Sequence, residues 1–209
     1  EVYRGANSLL YGAMAAGGAM NFVSRTGLNN PGAKISAEAG SFGFQQMQFQ
    51  HGDVYEDLDF YYSISDNRAS GYRDHTETEA TRLSSNLGWS INDDLDTRFF
   101  MTVGKDYQES ANGVPLNLIE EEGREASFGH NRPKDFDYDR NFDYFRLANR
   151  TDWTLDGGQK IAFDSFILYT DFDHLPFNAI VDNIWREGGL GVRYDDVIDV
   201  AGMVTEVTG

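Results

Sequence analysis

"LDFYYSISDN", residues 58–67, sets Leu58, Phe60, Tyr62 and Ile64 on one side of an extended chain and Asp59, Tyr61, Ser63 and Ser65 on the other. Side chains of a strand alternate between its two faces, so a run of this kind reads as β-structure with one apolar and one polar face. The same period recurs downstream. In 82–92 Leu83, Leu87, Trp89 and Ile91 oppose Arg82, Ser84, Asn86 and Ser90; in 95–107 Leu95, Phe99, Met101, Val103 and Tyr107 oppose Asp96, Arg98 and Thr102. In 145–155 Phe145, Leu147, Trp153 and Leu155 oppose Arg146, Arg150 and Asp152, and 159–170 gathers Ile161, Phe163, Ile167 and Tyr169. Two shorter strands, about 33–41 and 43–51, precede them.

These runs exceed the usual five or six residues of a strand and match the roughly 9–11 that a tilted strand needs to cross a bilayer. The polar faces repeat Arg, Asp, Ser and Asn, as a wet lumen requires. The connections sort by length: "GDVYED" (52–57), "NDD" (92–94) and "DGG" (156–158) are short, whereas 67–81 and 108–141 are long and polar. Tight turns at one end and long loops at the other are the mark of an outer-membrane barrel. Trp89 and Trp153 fall near the tight turns and Tyr107, Phe145 and Tyr169 near the long loops, so aromatics flank the apolar runs at both ends. The fold class expected is all-β, a fragment of a transmembrane antiparallel β-barrel.

Composition agrees. The 209 residues include 22 glycines and no cysteine, which excludes disulfides and thiolate metal sites. A net charge of −17 argues against nucleic acid as a partner. His51, His75, His130 and His174 are scattered without metal-ligand spacing, so no metal or cofactor is expected. No window holds roughly 18 consecutive apolar residues, and no signal peptide is visible. The strand-like "EVYRG" at the start and "VTEVTG" at the end read as an internal piece of a longer protein. No catalytic triad or paired-carboxylate site is discernible, and no enzymatic activity is expected.

The glycine-rich stretch "VYRGANSLLYGAMAAGGAMNFVSRTG" (2–27) could suggest a phosphate cradle, but Gly12, Gly17 and Gly18 have neither P-loop nor dinucleotide spacing. Small residues here fit a close-packed turn instead. Its ordered motifs, Val2 to Gly5, Leu10-Tyr11-Gly12, Gly17-Gly18-Ala19-Met20-Asn21 and Arg25, resemble the end of the plug domain of TonB-dependent outer-membrane transporters; Ala6 stands where that family has proline. Further on, "GSFGFQQ" (40–46), "SGYRDHTE" (70–77) and "RLANRTDW" (146–153) resemble the ferric-citrate-receptor-like branch.

The resemblance implies a barrel of about 22 strands when complete, occluded by a plug. Residues 1–30 would end the plug, and 31–209 would form the first seven or eight barrel strands with their extracellular loops. It implies active import of a scarce ligand, a ferric siderophore or ferric citrate, across the bacterial outer membrane. The partners would be TonB, engaged upstream, the ferric chelate, and outer-membrane lipid and lipopolysaccharide. Arg4, and less strongly Arg25, would lock plug to barrel by pairing with carboxylates. Gly5, Gly12, Gly17, Gly18 and Asn21 would pack the plug motif. Ligand contacts would come from Arg68, Arg73, His75, Arg124, His130 and Arg132, against the acidity of "IEEEGRE" (119–125). A passive porin-like channel, and a secreted acidic β-sandwich binding sugar or calcium, remain the alternatives.

Overall fold

The computed structural model describes residues 2–4, 18–20, 22–111, 113–124, 138–175, 180–200 and 203–208. Two short strands, β1 (Val2–Arg4) and β2 (Gly18–Met20), pair antiparallel, with Arg4 opposite Gly18. The other nine strands make one antiparallel sheet in strict chain order: β3 (Gly32–Ala39), β4 (Gln45–Tyr55), β5 (Leu58–Ala69), β6 (Thr78–Asn92), β7 (Leu95–Glu109), β8 (Asp139–Thr154), β9 (Lys160–His174), β10 (Val181–Val200) and β11 (Met203–Thr208). The sheet is not closed, and β3 and β11 form its edges. One short helix, α1 (Leu116–Glu122), interrupts the longest connection, between Pro115 and a Gly123 with φ of 92°. That connection read as loop throughout; Leu and Glu are good helix formers, proline suits the start and glycine the stop.

Nine strands stand where seven or eight were expected. The strands are also longer than the periodicity marked: β6 starts at Thr78 rather than 82, β8 at Asp139 rather than 145, and β9 runs on to His174. In those extensions the face that continues the apolar band turns polar (Glu79 and Thr81, Asn141 and Asp143, Asp171 and Asp173) while Phe142, Tyr144 and Phe172 fall on the other face, so the alternation fades while the ladder continues. Cross-strand bonds support it there: Thr81 Oγ1 donates to Asp66 Oδ2 (2.7 Å), Arg82 lies 2.6 Å from Asp106, and Lys105 lies 3.7 Å from Asp143. Strand β4 likewise continues through "GDVY" to Tyr55, leaving Glu56–Asp57 as the turn. Strand β10 escaped the reading because Gly188, Gly189 and Gly191 break its pattern.

Loop lengths sort by end. Turns 56–57, 93–94 and 155–159, and the two-residue link from β10 to β11, lie at the end where β3 begins. Connections 40–44, 70–77, 110–138 and 175–180 lie at the other.

Register assembles the single-strand alternation into two contrasting faces. One rung of the first face reads Ile35, Phe49, Ile64, Leu83, Val103, Phe145, Tyr169. Toward the turns, the rung through Leu58 and Trp89 and that joining Leu95, Trp153 and Ile161 keep this face largely apolar. One rung toward the loops, the face becomes charged: Asp66, Thr81, Lys105, Asp143, Asp171. Along β7 the apolar band runs from Leu95 to Val103, about 27 Å at roughly 3.4 Å per residue. A strand tilt near 40° reduces this to about 21 Å, close to the roughly 25 Å apolar band of membrane barrels.

Burial is inverted relative to a water-soluble core. Ile35 is 75% exposed, Ile167 54% and Trp89 48%, whereas Gln50, Asp59 and Asn86, all on the polar face, are buried. Among the described residues, nothing covers the apolar band.

Candidate functional site: a strap clamped to the polar face

Residues 22–31, leading from β2 to β3, lie as a strap against the polar face of β4, β5 and β6. A local turn shapes it: Thr26 N–H donates to Asn29 Oδ1 (2.9 Å), Asn29 N–H to Thr26 Oγ1 (3.2 Å) and Asn30 N–H to the Thr26 carbonyl (3.0 Å). The approach is backbone to backbone. A Cβ on Gly27 would run into the carbonyl oxygens of Asp53 and Phe60, and one on Gly52 into the Asn30 carbonyl. Only glycine permits such contact.

Three polar side chains of the sheet, Asp59, Asn86 and Gln50, hold the strap, and Arg98 braces the first two. Gly27 N–H donates to Asp59 Oδ1 at 3.0 Å, and Arg98 grips the same carboxylate with both Nη atoms, at 2.9 and 2.5 Å. Arg98 Nη1 also donates to Asn86 Oδ1 at 2.7 Å, while the Asn86 amide donates to the Arg25 carbonyl. Arg25 Nη1 donates to Gln50 Oε1 at 2.6 Å, which also accepts from the Tyr61 hydroxyl at 2.9 Å. Asp59 is 5% exposed; a carboxylate so enclosed is stable when a fork-shaped cation and a backbone amide share its oxygens, as here. The cluster closes on itself, so strap and wall satisfy each other's buried polar atoms.

Arg25 therefore does join strap to sheet, but through the Gln50 amide rather than a carboxylate. The carboxylate–arginine pair, Asp59–Arg98, lies wholly within the sheet. Sequence reading missed both residues: they are 39 positions apart and looked like two among many polar-face side chains. Arg4 sits exposed in β1, and Gly18 opposes it in β2. Gly5, Gly12, Gly17 and Asn21 lie outside the described residues, as do His130 and Arg132.

At the loop end, the candidate ligand residues are part of a braced rim. Ser70 N–H donates to the Phe42 carbonyl (2.9 Å), tying connection 70–77 to turn 40–44, and the rings of Phe42 and Tyr72 meet edge-on at 5.3 Å. Arg73 donates to the Ala111 carbonyl (3.2 Å), and His75 contacts the Tyr138 carbonyl (2.8 Å) and Glu109 Oε1 (3.4 Å). Both side chains bridge connections. Arg68 lies in β5, outside the loop assigned to it, on the apolar-band face; it pairs with Asp66 and Glu79. Arg124 is exposed beyond α1.

The interface aromatics are placed as follows. Trp89 and Trp153 stand on the apolar band beside the tight turns, and Tyr194 joins Trp153 and Ile161 in one rung. Phe145 and Tyr169 share the last apolar rung before the loops. Tyr107 departs from expectation: it lies two rungs beyond Val103, past the charged rung, with its hydroxyl 3.5 Å from Glu109. No known protein-family model matches the chain.

Proposed function

We propose that this chain is part of a TonB-dependent importer of the bacterial outer membrane. Residues 32–208 would supply wall strands of a large barrel, and the strap would join wall to plug. The observation that carries the reading is the inverted sheet. Its uncovered band of about bilayer height is flanked by aromatics, and the segment bearing the plug-like motifs continues into a strap fixed on the opposite, polar face. A passive pore needs no such strap. A secreted sandwich would bury its apolar faces against each other.

The cargo in this reading is a ferric chelate, captured at the rim and passed along the polar face when TonB, energised from the inner membrane, displaces the plug. The charged rung above the apolar band would meet lipopolysaccharide and its counterions. The deciding experiment compares uptake of iron-labelled citrate and siderophores by iron-starved cells with and without the gene, in TonB-positive and TonB-negative backgrounds. Uptake that needs both supports the proposal. Uptake independent of TonB indicates a passive channel, and recovery of the protein in the soluble fraction overturns the membrane assignment.

A further inference from the structure

The polar face carries a second feature that the strap does not use. Four of its arginines are matched by carboxylates: Arg82 with Asp106 at 2.6 Å, Arg98 with Asp59 at 2.5 Å, Arg150 with Asp152 at 2.9 Å and Arg193 with Asp195 at 2.8 Å. Arg140 lies over the Phe142 ring, 4.8 Å from its centroid. Arg146 is the exception. It is exposed, and no carboxylate or ring among the described residues engages it.

Arg146 opens onto a cleft of about 610 Å³, bounded by strands β7 to β10 and by the strap. Phe100, Phe166 and Phe22 line it with apolar surface, Thr102 adds a hydroxyl directly across from Arg146, and Gly189 leaves the far side without a side chain. The other charges lining it are Arg150 and Asp164, which face each other across β8 and β9. Arg150 is already held by Asp152, and Asp164 lies four residues along the strands from the rung Thr102–Arg146–Leu168, so among the described residues the Arg146 guanidinium stands beside aromatic walls with no carboxylate of its own. A guanidinium is the side chain best shaped to take a carboxylate or phosphate through two parallel hydrogen bonds.

We infer that this cleft binds a small organic anion, a carboxylate with a flat apolar body, with Arg146 taking the carboxylate and Phe100 and Phe166 the body. Arg146 lies at the depth of the apolar band, one position along β8 from Phe145 in the last apolar rung. The site is thus part-way down the wall, below the braced rim. Its role as a station for solutes in transit rests on the import reading; its capacity to bind does not.

The test uses the full-length protein in detergent, with phthalate as probe, its neutral diamide as the uncharged counterpart, and inorganic phosphate as an anion without an apolar body. Titration calorimetry should show saturable phthalate binding, weaker phosphate binding and none of the diamide. Arg146→Gln should weaken phthalate about ten-fold or more, the scale of a lost charge-assisted pair. Arg146→Lys should restore part of it, and Phe166→Ala should weaken phthalate but not phosphate. Lys105→Gln, on the opposite face of β7, should change nothing. Equal binding of phthalate and diamide overturns the inference, as does phthalate binding indifferent to Arg146→Gln or no saturable binding at all. The first comparison needs no variant, so it stands even if a substitution prevents folding. Binding without TonB-dependent uptake keeps the site and rejects the transport reading; the converse rejects the site alone.

Discussion

Asp59 receives donors from two different elements, the strap amide of Gly27 and the guanidinium of Arg98 on β7. Removing its charge leaves Arg98 half-enclosed with no counter-ion, a loss of about 2 kcal/mol on the scale of charge-assisted hydrogen bonds. Asp59→Asn is therefore expected to loosen the strap without unfolding the sheet. Arg25 gives trypsin a cleavage point within the strap, so the time course of cleavage after Arg25 in the folded full-length protein reads the effect. A roughly thirty-fold rise in the open population corresponds to that energy, and an unchanged cleavage rate would show that the carboxylate does not hold the strap. Gly27→Val is a harsher variant, because the backbone oxygens of Asp53 and Phe60 occupy the space its side chain needs; cleavage there should be faster than in Asp59→Asn. Sequence marked Arg25 as a tether but could not name its partners. Gln50, Asp59, Asn86 and Arg98 meet only after four strands have paired, and their spacing in the chain carries no trace of that meeting.

Single strands were the most legible elements. Where one face was apolar, alternation located the strand and assigned its faces, because a shift of one residue would reverse every side chain. Where the band-bearing face turned polar, as in 68–69, 78–81, 108–109 and 139–141, alternation was silent and strand residues were read as loop. Pairing of Thr81 with Asp66 and Lys105 with Asp143 shows what carries the ladder past that point. The two faces make a clear prediction within strand β6. Leu87→Arg, on the apolar band, should destabilise the membrane-inserted protein by about 2–4 kcal/mol if Leu87 lies at mid-bilayer. Ser84→Arg, on the polar face of the same strand, should cost far less. Chemical unfolding of the protein refolded into lipid vesicles measures both, and equal costs would contradict a lipid-facing band.

For the molecule as a whole, the inverted burial sets the requirement for its surroundings. The continuous apolar face, about 21 Å tall at a strand tilt near 40°, is larger than the few hundred Å² of contiguous exposed apolar surface usual on soluble proteins, and the import reading turns it toward lipid. The full-length protein is expected in the outer-membrane fraction, extractable only by detergent, and a soluble, monodisperse preparation without detergent would refute this. The amino-acid order determined which residues alternate, where tight turns interrupt them, and that Arg25 belongs to a segment of small residues leading into the sheet, because these are local properties of extended chain and turn chemistry. Tertiary structure alone decided that the rungs align into an apolar band ending at Val103, Phe145 and Tyr169 and that Tyr107 falls beyond it. It also decided that Arg73 and His75 brace the rim, and that among the described residues Arg146 is left without a partner while Arg150 on the same strand is held by Asp152. Those outcomes depend on register between distant strands, and register is settled by summing weak cross-strand interactions over the whole sheet.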